Sequence, residues 1–269
     1  MNIYDCFLYF DEDLMLDLRL NTLYEKVNKF IIVEAGEDHV GNKRSHKFNI
    51  NNFKKFKDKI DYYPIDKIKL DPSIKIPKNW SKHHLRDQSL RNFLGNCIKN
   101  VNDNDWIIIS DIDEIPNPKK IENFNIKKKY AFFKQKIFSY KFNLQDMSSG
   151  SWYGSRICVK KYLKSPQWLR NIKIKKNFKN FLFNYQIIDN GGWHFTTVKS
   201  PEDIIVKIKS FAHSELNKPY LHDIIYLKNK IENRQDIFNR DILLKKVDLD
   251  ETFPDYLLTN REKFEKFII

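Results

Sequence analysis

The sequence predicts an α/β domain with a mostly parallel sheet and helices on both faces, and three observations lead there. Apolar strand-like runs alternate with stretches of helical periodicity through the first half of the chain. Three acids, Asp111, Asp113 and Glu114, follow one of those runs directly; that is the rim of an open α/β sheet, beyond the carboxyl ends of its strands. The 269 residues, 41% hydrophobic and 14% aromatic, suffice for one large domain with a full core.

Each element has a local reason. "NIYDCFLYF" from Asn2 is an aromatic and β-branched run suited to a buried strand. "DEDLMLDLRLNTLYEKV" places Leu14, Leu18, Leu20, Leu23 and Val27 at roughly helical spacing behind an acidic start that suits a helix N-terminus. "KFIIVEA" is the second strand. "GEDHVGNKRSHKF" has two glycines and no periodicity, so it reads as a loop. "IDYYPI" from Ile60 is the third strand, and a Pro-bearing connection covers Lys67 to Lys78. Leu85, Leu90, Phe93, Leu94 and Ile98 share one side of a helix over Ser81 to Lys99, and "WIIIS" is the fourth strand. Pro116 and Pro118 are expected to stop that strand and stiffen the turn.

The second half is less regular. "YAFFKQKIFSYKF" from Tyr130 reads as one or two strands, and "SSGSWYGSR" from Ser148 as a small-residue turn that exposes Trp152 and Tyr153 above the sheet. "NFLFNYQII" from Asn180 is a strand ending at "DNGGWHF", where a Gly-Gly pair lets the backbone approach a ligand and His194 stands at the strand end. "SPEDIIVKIKSFAHSE" has a Ser cap, Pro in the first turn and acids after it, which make a helix with Ile204, Ile205, Ile208 and Phe211 inward. Tyr220 to Asn239 and Pro254 to Ile269 read as helical tail segments.

Composition excludes several classes. No apolar stretch approaches the ~18 to 20 residues of a membrane span, and the N-terminus lacks a signal peptide's basic-then-apolar order, so a soluble, cytoplasmic chain is expected. Cys6, Cys97 and Cys158 are odd in number, far apart and without C-x-x-C spacing, which argues against a disulfide framework or zinc knuckle. The net charge of +13 is local: residues 119–188 hold 17 Lys and Arg against Glu122 and Asp146. That region could meet phosphates or, peripherally, an anionic membrane surface. No nucleic-acid-binding motif accompanies it, so nucleic acid is not the expected partner.

Asp111 and Asp113, one residue apart on a turn, can both bend toward one hard cation, and oxygen ligands favour Mg²⁺ or Mn²⁺. The spacing alone is weak, because about four or five acid-x-acid pairs arise by chance at this composition. Asp11/Asp13, Asp103/Asp105 and Asp248/Asp250 repeat it. Surface helix acids account for the Asp11 pair. The apolar strand before Asp111 and the E-I-P after it set that pair apart.

Taken in order, "DCFLYFDEDLMLDLRLNTL", "KFIIVEA", "GNKRSHKF", the Trp-led "WSKHHLRDQSLR", "DIDEIP", "GGWHF" and "SPEDIIVKIKSFAHSE" resemble glycosyltransferase family 17. That group includes the β-1,4-mannosyl-glycoprotein β-1,4-N-acetylglucosaminyltransferase. The resemblance implies a GT-A fold over residues 1–269, with 1–118 as the nucleotide-binding half and 119–269 as the acceptor-side half. It implies a nucleotide-sugar donor, UDP-GlcNAc in the characterised branch, a glycan acceptor, and a divalent metal on the Asp-x-Asp turn. Asp113 is then the direct ligand, Asp111 holds the ribose or the metal's water shell, and His194 completes the metal shell.

An inverting transferase needs a base for the acceptor hydroxyl. No carboxylate lies between Asp146 and Asp189, which leaves Glu215, favoured for its place after the "KSFAH" helix, with Asp189 and Glu114. Glu34, Lys43 and Arg44 are candidates for nucleotide recognition, Arg86 and Lys207 for the diphosphate; Arg19 could equally be a structural ion pair. Animal members carry a membrane anchor and stem, whereas this chain begins almost at its first strand, so a bacterial or viral surface glycan is the expected acceptor. Two rival readings stand beside this one: a phosphohydrolase of the haloacid dehalogenase type, with the first Asp as nucleophile, and a basic nucleic-acid-binding module.

Overall fold

The first half folds as its alternation requires. A computed structural model describes residues 1–77, 81–174, 185–210 and 214–269. In chain order it has β1 (Ile3–Leu8), α1 (Asp13–Leu23), β2 (Lys29–Ala35), a 3₁₀ helix (Ile50–Lys59), β3 (Ile60–Ile65), α2 (Lys82–Cys97) and β4 (Trp106–Ile109). These strands pair in parallel in the order β3-β2-β1-β4. Next come β5 (Glu114–Pro116), α3 (Pro118–Ile121), β6 (Tyr130–Ser139), β7 (Leu144–Asp146), β8 (Arg156–Val159), α4 (Pro166–Asn171) and β9 (Tyr185–Thr196). α5 (Pro201–Ser210), α6 (Ile224–Glu232), β10 (Leu244–Lys246), α7 (Asp255–Thr259) and α8 (Arg261–Phe264) complete the chain. β8 runs antiparallel beside β4, and the sheet continues through β6, β7 and β10. The result is a mixed α/β sheet, parallel through its first half.

Alternate residues of the strands feed two layers, because side chains along a strand point to opposite faces. Cys6, Ile31, Val33, Ile107 and Ile109 pack against Leu90, Leu94 and Ile98 of the α2 segment and Leu169 of α4. Phe7, Phe30, Ile32 and Ile108 pack on the other face with Leu16 and Leu20 of α1, Phe53 and Phe56 of the 3₁₀ helix, and Leu257 and Phe264 from the C-terminal helices. Burial of each such side chain contributes about 1.5–3 kcal/mol, so both faces are held without an exposed apolar side. A third cluster, with Tyr140, Leu144, Ile204, Ile208, Leu227 and Ile231, seats α5 and α6.

Several elements depart from expectation. "INNFKKFKDK" is 3₁₀ on both sides of a kink at Phe53 (φ −128°, ψ 32°), and Phe53 and Phe56 are both buried. Pro116 does not stop β4, which already ends at Ile109; it is the last residue of β5, opposite Gly192, and β5 pairs antiparallel with β9 as Glu114↔His194 and Ile115↔Trp193. "DNGGWHF" lies inside β9, not at its end. The short strands β7, β8 and β10 carry too few residues to show a period. Trp80, residues 180–184 of the "NFLFNYQII" strand and Phe211 to His213 of the α5 segment lie outside the described residues.

β9 is also parallel to β6, and the ladder is interrupted: Phe133 faces Ile188 but Gln135 faces Gly192. The surplus residues bulge outward, with Asn190 at φ 50° and Gly192 at φ 132°. Gly192 is needed twice over, since a Cβ there would stand 2.2 Å from the Ile115 carbonyl oxygen.

Candidate active site

The acidic turn is built on a buried cation. Arg19 of α1 is 0% exposed and pairs with the equally buried Asp5 of β1 through Nη2 at 2.6 Å and Nε at 2.8 Å. Its Nη1 donates to the carbonyls of Asp111 (2.9 Å), Ile112 (3.1 Å) and Glu114 (3.0 Å). A guanidinium presents donors in a rigid fork, so one side chain fixes the whole path of the turn after β4.

Arginines hold the first aspartate. Arg91 of α2 donates to Asp111 Oδ1 and Arg170 of α4 to Oδ2, each at 3.0 Å. Burial works against the charge, but Arg170 and Arg91 outweigh it and hold the Asp111 carboxyl well below the usual carboxylate range. Arg91 is itself tied to Asp87 and Gln167. Glu114 is fully buried: it accepts from Arg170 (2.7 and 3.0 Å), Trp152 Nε1 (2.6 Å) and the Asp111 backbone N–H (2.8 Å).

The second aspartate is different. Asp113 has Oδ1 3.8 Å from His194 Nε2 and Oδ2 3.9 Å from Lys207 Nζ, beyond hydrogen-bond length in both cases. Burial pushes its carboxyl above the usual value while His194 and Lys207 pull the other way. His194 stacks on Trp152, ring centroids 4.9 Å apart, and its Nδ1 is buried without a hydrogen-bond partner among the described residues. A proton on that Nδ1 leaves the Nε2 lone pair facing Asp113.

Asp113 and Lys207, with Glu12, line two adjoining cavities. One, of about 260 Å³, has Asp111, Arg91, Asp87 and His39 in its wall. The other, of about 420 Å³, has Asp11, Asp13, Lys199 and Asp203. Burial pushes the His39 imidazole below its ordinary value, so the wall is neutral there near pH 7.

The sequence model of glycosyltransferase family 17 matches residues 1–268. The chain belongs to glycosyltransferase family 17. No curated protein matches it at a significant level. Among solved structures it is similar to a glycosyltransferase involved in glycosylating the major capsid of PBCV-1 (14% identity, 70% of this chain and 82% of that one, TM-score 0.32). It is similar also to HddC from Yersinia pseudotuberculosis (12% identity, 71% and 92%, TM-score 0.35). A third is the inositol-1-phosphate CTP transferase from T. maritima (8% identity, 100% and 98%, TM-score 0.35). The family assignment stands on the match over residues 1–268.

As a family 17 transferase the chain uses a nucleotide-sugar donor, and the phosphohydrolase and nucleic-acid-binding readings fall. Geometry agrees with the first exclusion: both oxygens of Asp111, the nucleophile that reading needs, are held by arginines. Among the described residues no three His, Cys, Asp or Glu side chains group as metal ligands. A divalent cation is compatible with a smaller set, Asp113 and His194, whose carboxylate and imidazole suit Mn²⁺. Mg²⁺-type sites on phosphate substrates often take only one or two protein ligands. Asp111 does not fit as a direct ligand.

Of the other candidates in this family 17 chain, Lys207 alone reaches the Asp113 junction. Glu34 is fully buried and holds the loop after β2, accepting from Arg44 (2.9 Å), the N–H groups of Lys47 and Phe48, and Tyr62 (2.8 Å). Arg44 donates to the carbonyls of Ala35 and Phe10 and lies over the Phe10 ring. Both serve the loop, not a nucleotide. Lys43 is exposed and outside both cavities. Arg86 lies behind the first cavity, against Gly41, where a Cβ would meet its guanidinium at 2.8 Å.

Nor do the three proposed bases stand where a base must. Glu114 has no exposed oxygen, Asp189 sits in the outward bulge of β9, 72% exposed and paired with Lys134, and Glu215 lies on an exposed 3₁₀ turn outside both cavities. Asp11, read as a surface acid, instead pairs with Lys199 inside the second cavity. Sequence reasoning missed Arg91, Arg170, His39 and Glu12. Only Arg91 left a signal, its i,i+4 spacing from Asp87. The basic region 119–188 also spends two arginines internally: Arg170 in the acid cluster, and Arg156 on the carbonyls of Leu169 and Ile172. No helix among the described residues is long and apolar enough to cross a membrane, and nothing in them marks that region for a membrane surface.

Proposed function

We propose that this family 17 enzyme is a metal-assisted, inverting glycosyltransferase that takes N-acetylglucosamine from UDP-GlcNAc to a glycan hydroxyl. One observation carries the reading: the Asp113 carboxylate, free of hydrogen bonds among the described residues, stands between His194 and Lys207 where two cavities meet. The first cavity takes the nucleotide diphosphate and the second the acceptor. Asp113 and His194 would hold Mn²⁺ or Mg²⁺, which when bound neutralises charge on the leaving diphosphate. Lys207 adds a point charge to the same oxygens. Arg19, Arg91 and Arg170 keep the turn rigid, so little reorganisation is needed as charge develops.

Glu12 is the base in this reading. It lines both cavities, its Oε2 is anchored by the N–H groups of Phe10 and Asp11 at 3.0 Å, and Oε1 lies 3.9 Å from Lys199. The neighbouring acids are engaged: Asp11 by Lys199, Asp13 by Tyr9 and Asn52, Asp203 by Ser200. In the transfer the sugar C1–O bond to the diphosphate breaks, the acceptor oxygen bonds C1 from the opposite side, and the hydroxyl proton passes to Glu12. The nucleoside diphosphate leaves. Thermal shift against a panel of nucleotide sugars with and without Mn²⁺ tests the donor; Asp113→Ala is expected to abolish the Mn²⁺-dependent shift. Glu12→Gln is expected to keep donor affinity within about twofold and lose transfer by ~10²–10⁴-fold. A panel with no Mn²⁺-dependent shift, or an Asp113→Ala protein that still shows one, defeats the reading.

A further inference from the structure

The two cavities at Asp113 continue into a third. The second shares Lys199 and Phe267 with a cavity of about 590 Å³ beneath α6. Both volumes fall in the range of ~300–1,000 Å³ usual for small-molecule sites. The third cavity is cationic: Lys141, Lys199, Lys228, Arg234 and Lys266 line it from separate parts of the chain, against the one acid Glu232 among its lining residues. Lys199 is neutralised by Asp11. No acid comes within ion-pair distance of Lys228, Arg234 or Lys266 among the described residues. Lys141 donates to the Lys266 carbonyl at 2.6 Å, and burial lowers its ammonium, a cost that an anion in the cavity would relieve. Phe267 gives the passage between the two cavities an apolar face, and Tyr140 does the same for the inner wall.

Cations set around a concavity concentrate a field that a scattered lysine surface does not. Resting on the transferase reading above, we propose that the acceptor is an anionic glycan. Its reacting sugar occupies the second cavity beside Glu12 and Asp113. A phosphate or carboxylate on a neighbouring sugar of the same glycan sits in the third, between Lys228, Arg234 and Lys266. The remote charge fixes which hydroxyl is offered for transfer.

Calorimetric titration of the protein with UDP and Mn²⁺ present tests this with two matched pairs, each changing mainly the charge. Pentamannosyl 6-phosphate against mannopentaose tests phosphate, and a hyaluronan tetrasaccharide against the same tetrasaccharide with its carboxylates reduced to hydroxymethyl groups tests carboxylate. The anionic member of at least one pair is expected to bind tenfold or more tightly than its neutral partner; whichever pair discriminates names the anion. The preference should shrink to threefold or less in Lys228→Gln/Arg234→Gln, with UDP affinity and melting temperature unchanged. Equal binding of both members of each pair, no measurable binding of either anionic member, or a preference that survives the double substitution would overturn the proposal. UDP titration alone separates the two levels. A wild-type protein that binds UDP but shows no charge preference loses only the anionic acceptor, whereas one that does not bind UDP with Mn²⁺ loses the transferase reading and the acceptor role with it.

Discussion

Arg19→Met is the most informative single perturbation of the acidic turn. The substitution roughly conserves length and apolar stem while removing the guanidinium. It strands Asp5 as an unpaired carboxylate at 0% exposure and takes the donor from three carbonyls, those of Asp111, Ile112 and Glu114. Removing one partner of a buried ion pair costs about 3–5 kcal/mol. Against a typical total of ~5–15 kcal/mol, that is a large share. At ~2–4 °C per kcal/mol for a chain of this size, the melting temperature should fall by ~6–20 °C. Asp5→Asn/Arg19→Met removes the stranded charge and should regain about 1–2 kcal/mol by far-UV circular dichroism melts. Mn²⁺-dependent UDP-sugar hydrolysis should stay low in the double variant, because the turn's carbonyls still lack their donor. An Arg19→Met protein that melts within about 2 °C of wild type, or a double variant with full activity, would show that Arg19 neither stabilises nor positions the turn.

Other outcomes follow from the same contacts. Gly154→Ala should misfold or lose most of its activity, since the new Cβ would stand 2.0 Å from Glu114 Oε1 and 2.2 Å from Trp152 Nε1; soluble expression and melting temperature check it. Trp152→Phe removes the 2.6 Å bond to the buried Glu114 but keeps a ring over His194, and should cost about 1–3 kcal/mol of stability. Asp111 has its folded pKa depressed by Arg170 and Arg91, so its contribution to stability is present above the unfolded carboxylate value and is lost as pH falls through the folded one. Asp111→Asn should flatten the acid limb of the stability profile in urea melts. Asp113 has its carboxyl raised, chiefly by burial, so metal-dependent donor binding should weaken on acidification at a pH above the ordinary carboxylate value. Asp189→Asn should leave turnover within about twofold, since that side chain, 72% exposed, pairs with Lys134 on the outer surface.

The parallel half was legible because each of its strands is a compact apolar run bounded by polar or glycine residues: "KFIIVEA" folds as β2 over the same seven residues. The second half was opaque because its strands are short or interrupted; β7 and β10 have three residues each, and β9 contains a bulge that no alternation pattern could accommodate. At the site, Asp113, His194 and Lys207 were readable from their places after a strand, within "GGWHF" and on a capped helix. Arg170 was not, because "QWLR" has no motif and its role depends on α4 folding back over β4. Glu34 and Arg44 were misread for a related reason. A carboxylate at a strand's C-terminal end can serve its own following loop as readily as a ligand, and spacing does not separate the two. Glu12 was overlooked because an acid at a helix start already has a sufficient local explanation in the helix dipole.

The pairing of Glu114 with His194 has one more consequence. Because the carboxylate turn and the imidazole are neighbours on hydrogen-bonded backbones, their separation is inherited from a ladder and not from loop conformation. Lengthening or exchanging the surface loops around the cleft should leave that spacing untouched. Deleting a single residue from the Asn190–Gly192 kink should slide the strand by one step and carry the imidazole to the sheet's opposite side. Variation in what such an enzyme recognises can therefore accumulate at its periphery while the reacting centre stays in place.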